Sequence, residues 1–266
     1  MTGRPRTPAV TTAEACPPPI VIRQTGDASG LRVDKVCKNF GARAVVNNIS
    51  LRLARGEVAA LLGPNGAGKT TCFYMITGLI SVDSGTISLD GRDITDMPMY
   101  LRARHGLGYL AQEISIFRGL TVEQNIMAIV EARVASRHRI REITEELLSE
   151  LSLGALRNVE GDTLSGGELR RVEIARALAS DPTFMLLDEP FAGVDPMGVD
   201  GMRQAIQYLK RRGLGVLITD HDVHATLEIV DRVSIICAGE MLFEGSPDAV
   251  IHDPEVRRLY LGEGFV

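Results

Sequence analysis

Gly63-Pro64-Asn65-Gly66-Ala67-Gly68-Lys69-Thr70, extended by Thr71, is the stretch that decides the fold. An apolar run, Val58-Ala59-Ala60-Leu61-Leu62, leads into it, and Cys72-Phe73-Tyr74-Met75-Ile76 continues from it as a helix. Strand, glycine-rich turn and helix in that order make a phosphate-binding P-loop. The glycines let backbone N–H groups close around phosphate oxygens, and the helix that follows aims its positive dipole end at them. In such a loop Lys69 reaches the β- and γ-phosphates, and the Thr70 hydroxyl ligates Mg²⁺. Every motif position agrees with its flanks. The stretch therefore implies nucleoside triphosphate binding, not a glycine-rich turn with a chance lysine.

Upstream, Leu31, Val33, Ile49, Leu51 and Leu53 alternate with polar residues, which predicts two half-buried strands of an antiparallel β layer. Thr86-Ile87-Ser88-Leu89-Asp90-Gly91 reads as another strand and turn. Downstream, from about residue 113 to 179, the pattern is helical, with Ile140, Ile143, Leu147, Leu148 and Leu151 at helical spacing. Strands return at Phe184-Met185-Leu186-Leu187 and Val216-Leu217-Ile218, whose continuous apolar character suits parallel strands covered on both faces. Between them a helix over 197–212 is stopped by Gly213. The expected fold class is α/β, a parallel core interrupted by a helical insertion.

Two further stretches carry chemistry. Met185-Leu186-Leu187-Asp188-Glu189-Pro190 ends a buried strand in two carboxylates. Beside a P-loop, Asp188 can hold Mg²⁺ through water, and Glu189 can polarise an attacking water. Leu164-Ser165-Gly166-Gly167-Glu168 opens a helix running through Leu169, Val172, Ala175 and Leu178. Ser165 suits an N-cap, and the glycines, costly in a helix, expose N–H groups as a second anion-binding helix start.

Composition narrows the class. The 266 residues are 45% hydrophobic and 24% charged, as in an ordinary soluble globular protein, and net charge is −5, which argues against nucleic acid as a partner. No apolar run approaches the ~18–20 residues of a membrane span, so membrane contact is expected only through partners. Cys16, Cys37, Cys72 and Cys237 are scattered without a Cys-x-x-Cys pair, which fits a reducing compartment better than disulfides or a metal site. Residues 1–30 mix prolines with small polar residues and read as a disordered tail, apart from a short apolar patch, Ile20-Val21-Ile22.

With the P-loop and Leu164–Glu168 together, the chain from Leu31 to its C-terminus resembles the ABC-type ATPases, the nucleotide-binding domains of ABC transporters. The resemblance implies a RecA-like core with ATP and Mg²⁺ as ligands. It places the glutamine that senses Mg²⁺ and the γ-phosphate at Gln112, an aspartate of the dimer contact at Asp195, and a γ-phosphate-contacting histidine at His221. Phe40 falls at the aromatic position that stacks on adenine. It also implies a homodimer in which the P-loop of one copy and Leu164–Glu168 of the other enclose each ATP.

The chain lacks a membrane span, a second cassette and a long coiled coil, which leaves a stand-alone subunit driving two separate transmembrane permease subunits. Finer resemblance is to the ATPases of bacterial lipopolysaccharide export, on Cys72–Leu79, Asp83–Ile87, Gln112–Arg118, Arg170–Leu178 and Asp188–Pro196. That implies a place on the cytoplasmic face of the inner membrane. Much of the core and the tail Arg258–Glu263 also resemble branched-chain amino-acid importer ATPases, and an ATP-driven regulator without cargo would carry the same motifs. Ala111 and Leu169 depart from the export pattern, which usually has proline and arginine there. Phe117 and Arg118 fall where such ATPases receive short helices of their membrane partners.

Overall fold

Burial at Leu31, Val33 and Val36, with exposed residues between, makes β1 (Leu31–Phe40) a half-buried strand. It pairs antiparallel with β2 (Arg43–Leu53), whose Ile49, Leu51 and Leu53 face the same core. β3 (Val58–Leu62) is buried throughout and delivers the P-loop to α1 (Lys69–Thr77). β4 (Ser84–Leu89), β5 (Arg92–Asp93), α2 (Met99–Arg104) and β6 (Leu107–Leu110) follow. Three helices come next: α3 (Val122–Glu131), α4 (Arg137–Glu150) and α5 (Gly166–Ala179). The core then resumes with β7 (Phe184–Asp188), α6 (Pro196–Arg211), β8 (Gly215–Thr219) and α7 (Val223–Leu227). β9 (Arg232–Cys237), β10 (Glu240–Gly245) and α8 (Pro247–His252) complete it. This computed structural model describes residues 29–194, 196–262 and 265. Asp195 and the tail up to residue 28 lie outside the described residues. Gly30, at the expected end of that tail, is tied to the body: its N–H donates to Asp90 Oδ1 at 2.9 Å and its carbonyl accepts from the Asp90 N–H at 2.8 Å.

The strands form two sheets, an antiparallel one in the order β2-β1-β4-β5 and a larger one in the order β10-β9-β3-β8-β7-β6. Within the larger sheet β9, β3, β8, β7 and β6 are all parallel, and β10 is an antiparallel edge. The period of two in β3 splits its side chains between two cores. Val58, Ala60 and Leu62 pack with α3, α4, α5 and α6, whereas Ala59 and Leu61 pack with α1 and the antiparallel sheet. Ile140, Leu147, Leu148 and Leu151 are buried in the first of these, so the helical insertion shares a core with one face of the sheet.

Because the five strands run the same way, their C-terminal ends share one edge, where open α/β sheets place their ligands. That edge carries the P-loop after β3, His221 after β8, Asp188 and Glu189 at the end of β7, and Gln112 after β6. At its far end α1 is fastened by Arg102, only 2% exposed. Arg102 donates from Nη1 to the carbonyls of Met75 (2.6 Å) and Ile76 (2.7 Å), from Nη2 to Thr95, and from Nε to Met97. The two Nη1 bonds reach carbonyls of the last turn of α1, where a helix end runs short of intrahelical donors. Burial lowers the guanidinium pKa to about 10. No local pattern marks this residue, since its bonds join the end of α1 to the loop that precedes α2.

Candidate nucleotide site

The P-loop fits its position only with glycine. Gly63 has φ +146°, and a Cβ there would lie 2.0 Å from the Ile236 carbonyl oxygen of β9. Gly68, the N-cap of α1, has φ +107°, and a Cβ would meet the Val45 carbonyl oxygen at 2.7 Å. The loop is thus held between β9 and β2, its backbone too close to both for any side chain.

Lys69 opens α1 and is 6% exposed. Its Nζ donates to the carbonyls of Gly63 (2.6 Å) and Pro64 (3.0 Å). Burial pushes the ammonium below its ordinary pKa, against the opposing pull of Glu189 and Asp188. A cavity of about 640 Å³ opens over the loop, lined by Asn65 through Thr71, Phe40, Arg43, Val45, Glu189 and His221. Phe40, 53% exposed, forms part of its wall, with Lys38 Nζ 5.8 Å from the ring centroid.

Glu189 joins the other sequence-predicted groups. Its Oε2 accepts from Gln112 Nε2 at 2.7 Å and its Oε1 lies 2.6 Å from His221 Nε2. The residue takes φ +50°, a left-handed conformation at the strand end, and its N–H donates to the Thr219 carbonyl at 2.7 Å. Asp188 is 3% exposed and accepts from the Tyr109 hydroxyl at 3.1 Å. Burial raises the Asp188 pKa, and the Tyr109 hydrogen bond opposes that rise. Gln112 keeps its Oε1 as an acceptor, so Thr70, Asp188 and Gln112 present oxygen donors suited to a hard cation that takes its remaining ligands from phosphate and water. Among the described residues no cluster of three His, Cys, Asp or Glu side chains offers a metal site built from protein alone.

Leu164, Ser165, Gly166, Gly167 and Glu168 are not brought to the P-loop of the same chain. Ser165, Gly167 and Glu168 line a separate cavity of about 480 Å³ with Arg171 and Gln204. Glu168 is committed locally, accepting from the Ser165 N–H (2.8 Å) and hydroxyl (2.7 Å), which hold its pKa below the ordinary value. The sequence marked Ser165 as the N-cap; the return of Glu168 to the Ser165 N–H is what the structure adds to this helix start. Gly167 has a packing reason as well: a Cβ would come 3.2 Å from Gly198 Cα of α6.

The stretch from Ala111 to Phe117 is gripped by α5. Arg170 donates to the carbonyls of Ala111 and Gln112, and Glu173 accepts from the Ser115 N–H at 2.6 Å. Arg170 and Glu173 also form a buried ion pair at 2.9 Å. Phe117 is 48% exposed, its ring covered on one side by the Arg176 guanidinium 4.5 Å from the centroid, and Arg118 is exposed beside it. Buried Asn125 bonds both the N–H and the carbonyl of Phe117, so this exposed ring stands on a fixed backbone.

Residues 46–192 match the ABC transporter family, and residues 240–266 match a branched-chain amino-acid ATP-binding cassette transporter family. An uncharacterized ABC transporter ATP-binding protein of Rhizobium meliloti is 58% identical over 86% of this chain and 84% of its own length. The lipopolysaccharide export system ATP-binding proteins LptB of Haemophilus influenzae and Escherichia coli K12 are 50% and 48% identical, each over 88% of this chain and 98% of their own. A nucleotide-free ATP-binding cassette from an ABC transporter superposes with a TM-score of 0.78 at 28% identity, covering 89% of this chain and all of that one. A P-loop, a strand-end Asp-Glu pair and a capped Ser-Gly-Gly-Glu helix stand on this fold, and the chain belongs to the ABC transporter family as one of its ATP-hydrolysing subunits.

Proposed function

We propose that this chain powers lipopolysaccharide extraction from the inner membrane, working as a homodimer on two transmembrane permease subunits at the cytoplasmic face. The observation that carries this reading is the likeness to LptB proteins at 48–52% identity, which spans 98% of their length. The importer reading rests on the C-terminal match over residues 240–266. It covers a far smaller part of the chain, and the export reading is favoured. No helix among the described residues is long and apolar enough to cross a membrane, and the proposal assigns that crossing to the permeases.

The site residues take these roles. P-loop N–H groups from Gly63 to Thr71 cradle the phosphates, and Lys69 turns from its loop carbonyls toward the β- and γ-phosphates. Thr70, Asp188 and Gln112 hold Mg²⁺, which when bound neutralises phosphate charge. Glu189 accepts a proton from the attacking water, and His221 contacts the γ-phosphate. Leu164–Glu168 of the second copy, with its Asp195, closes the cage and excludes water. Phe40 stacks on adenine. Stacking is worth ~1–3 kcal/mol per base, so Phe40→Ala raises the KM for ATP by about tenfold with little change in kcat. Steady-state kinetics check this, and an unchanged KM removes Phe40 from the site.

Phe117 and Arg118 receive the permease helices: the ring offers an apolar anchor and the guanidinium charge-assisted bonds. Phe117→Ala and Arg118→Ala weaken assembly with the permeases while folding and ATP binding persist. The test is affinity capture of the tagged chain from detergent-solubilised membranes. Two co-purifying permeases that release lipopolysaccharide from proteoliposomes on ATP addition support the proposal. An amino-acid permease in their place overturns it.

A further inference from the structure

Glu189 and His221 leave the ends of two adjacent strands. The β7–β8 ladder ends at Asp188 opposite Thr219, and the Glu189 N–H makes the last rung to the Thr219 carbonyl. Past that rung the chains diverge. Glu189 bends into a turn closed by the Ala192 N–H on its own carbonyl at 3.1 Å, and His221 leads toward α7. Asp220 lies across this divergence and is 2% exposed. Its Oδ2 accepts from the Phe191 N–H at 2.8 Å and its Oδ1 from the Asp222 N–H at 2.8 Å. The His221 N–H is also directed at this carboxylate.

We propose that Asp220 is a positioning residue, whose carboxylate ties the turn carrying Glu189 to the loop carrying His221 and so holds the two side chains at their 2.6 Å contact. A side chain without acceptors would leave the buried Phe191 N–H without its partner. Burial raises the Asp220 pKa and the three N–H groups oppose that rise. The strand ladder alone does not do this work: its last pair is Asp188 with Thr219, and beyond the Glu189 N–H rung nothing in the ladder reaches His221, two residues further on. This inference rests on the ATPase roles proposed above for Glu189 and His221.

Asp220→Asn tests it, since the amide keeps the shape but sets an N–H₂ group against one of the backbone donors. Misplacing a catalytic group by about 1 Å costs up to ~10²-fold, so kcat falls ~10–100-fold. ATP affinity and KM stay within about threefold, because the P-loop and Phe40 lie on other elements. A second readout needs no hydrolysis: Glu189→Gln moves the His221 ring NMR signal in the parental protein and not in the Asp220→Asn background. Near-parental kcat with an intact Glu189 effect on the His221 signal overturns the proposal. So does a parallel loss of ATP affinity, melting temperature and kcat, or failure to fold, either of which assigns Asp220 to general stability. If the parental protein itself does not hydrolyse ATP, the ATPase roles fail, while the His221 signal still decides whether Asp220 holds the two loops together.

Discussion

Glu189→Gln lowers ATP turnover by ~10²–10⁴-fold, the range expected for loss of a general base, while ATP binding persists. The structure explains why the loss is chemical and not architectural. Each carboxylate oxygen of Glu189 has one partner, Gln112 on Oε2 and His221 on Oε1. A glutamine fits the same space and the same left-handed backbone. Its carbonyl can accept from Gln112 and its N–H₂ can donate to a neutral His221 ring, so both contacts survive. What disappears is the capacity to take a proton from water. In the proposed homodimer the cage then closes on ATP without opening through hydrolysis, and the dimer persists. Size-exclusion chromatography with ATP and a single-turnover assay check both halves. Near-parental turnover would remove Glu189 as the base.

How much of this was legible in the sequence depends on whether a contact is local. Val58–Leu62, Gly63–Thr71 and Lys69–Thr77 are contiguous, so strand, loop and helix could be read directly. The continuous apolar runs at 184–187 and 216–218 signalled strands buried on both faces, and β7 and β8 are buried at every position. The meeting of Gln112 with Glu189 joins residues 77 positions apart, and no periodicity encodes it. The family resemblance placed both residues in one site, but the hydrogen bond between them is a product of strand order, β6 beside β7.

Tyr109, Asp220, Arg102 and Asn125 were not singled out for the same reason. Tyr109, Asp220 and Arg102 each bond a group on a distant segment, Asn125 bonds the loop just before its own helix, and each reads in isolation as an ordinary strand, loop or helix residue. Gly167 was read for its exposed N–H groups alone. The approach of α6 to α5, which makes a side chain there a tight fit, depends on how two helices pack after folding.

Lys69→Ala is expected to reduce ATP affinity by at least ~10²-fold, because a hydrogen bond to a charged group is worth ~1.5–3 kcal/mol and the proposed role of this ammonium is to serve two phosphates. Two features sharpen the expectation. First, Lys69 is buried, so its charge acts where water screens little, and Glu189 and Asp188 help keep it protonated. Second, its bonds to the Gly63 and Pro64 carbonyls hold the ammonium over the loop, where they can be exchanged for bonds to phosphate oxygens. Alanine is the best helix former, so the first turn of α1 survives, and the glycine geometry at Gly63 and Gly68 does not involve the lysine side chain. The variant should therefore fold and still present its backbone N–H groups. Calorimetric titration with ATP, beside a melting curve of the free protein, separates the two effects. Parental affinity in a folded Lys69→Ala protein would overturn the assignment of Lys69 to the phosphates. Weak binding by Lys69→Ala beside tight binding by Glu189→Gln would divide one site into the part that holds ATP and the part that hydrolyses it.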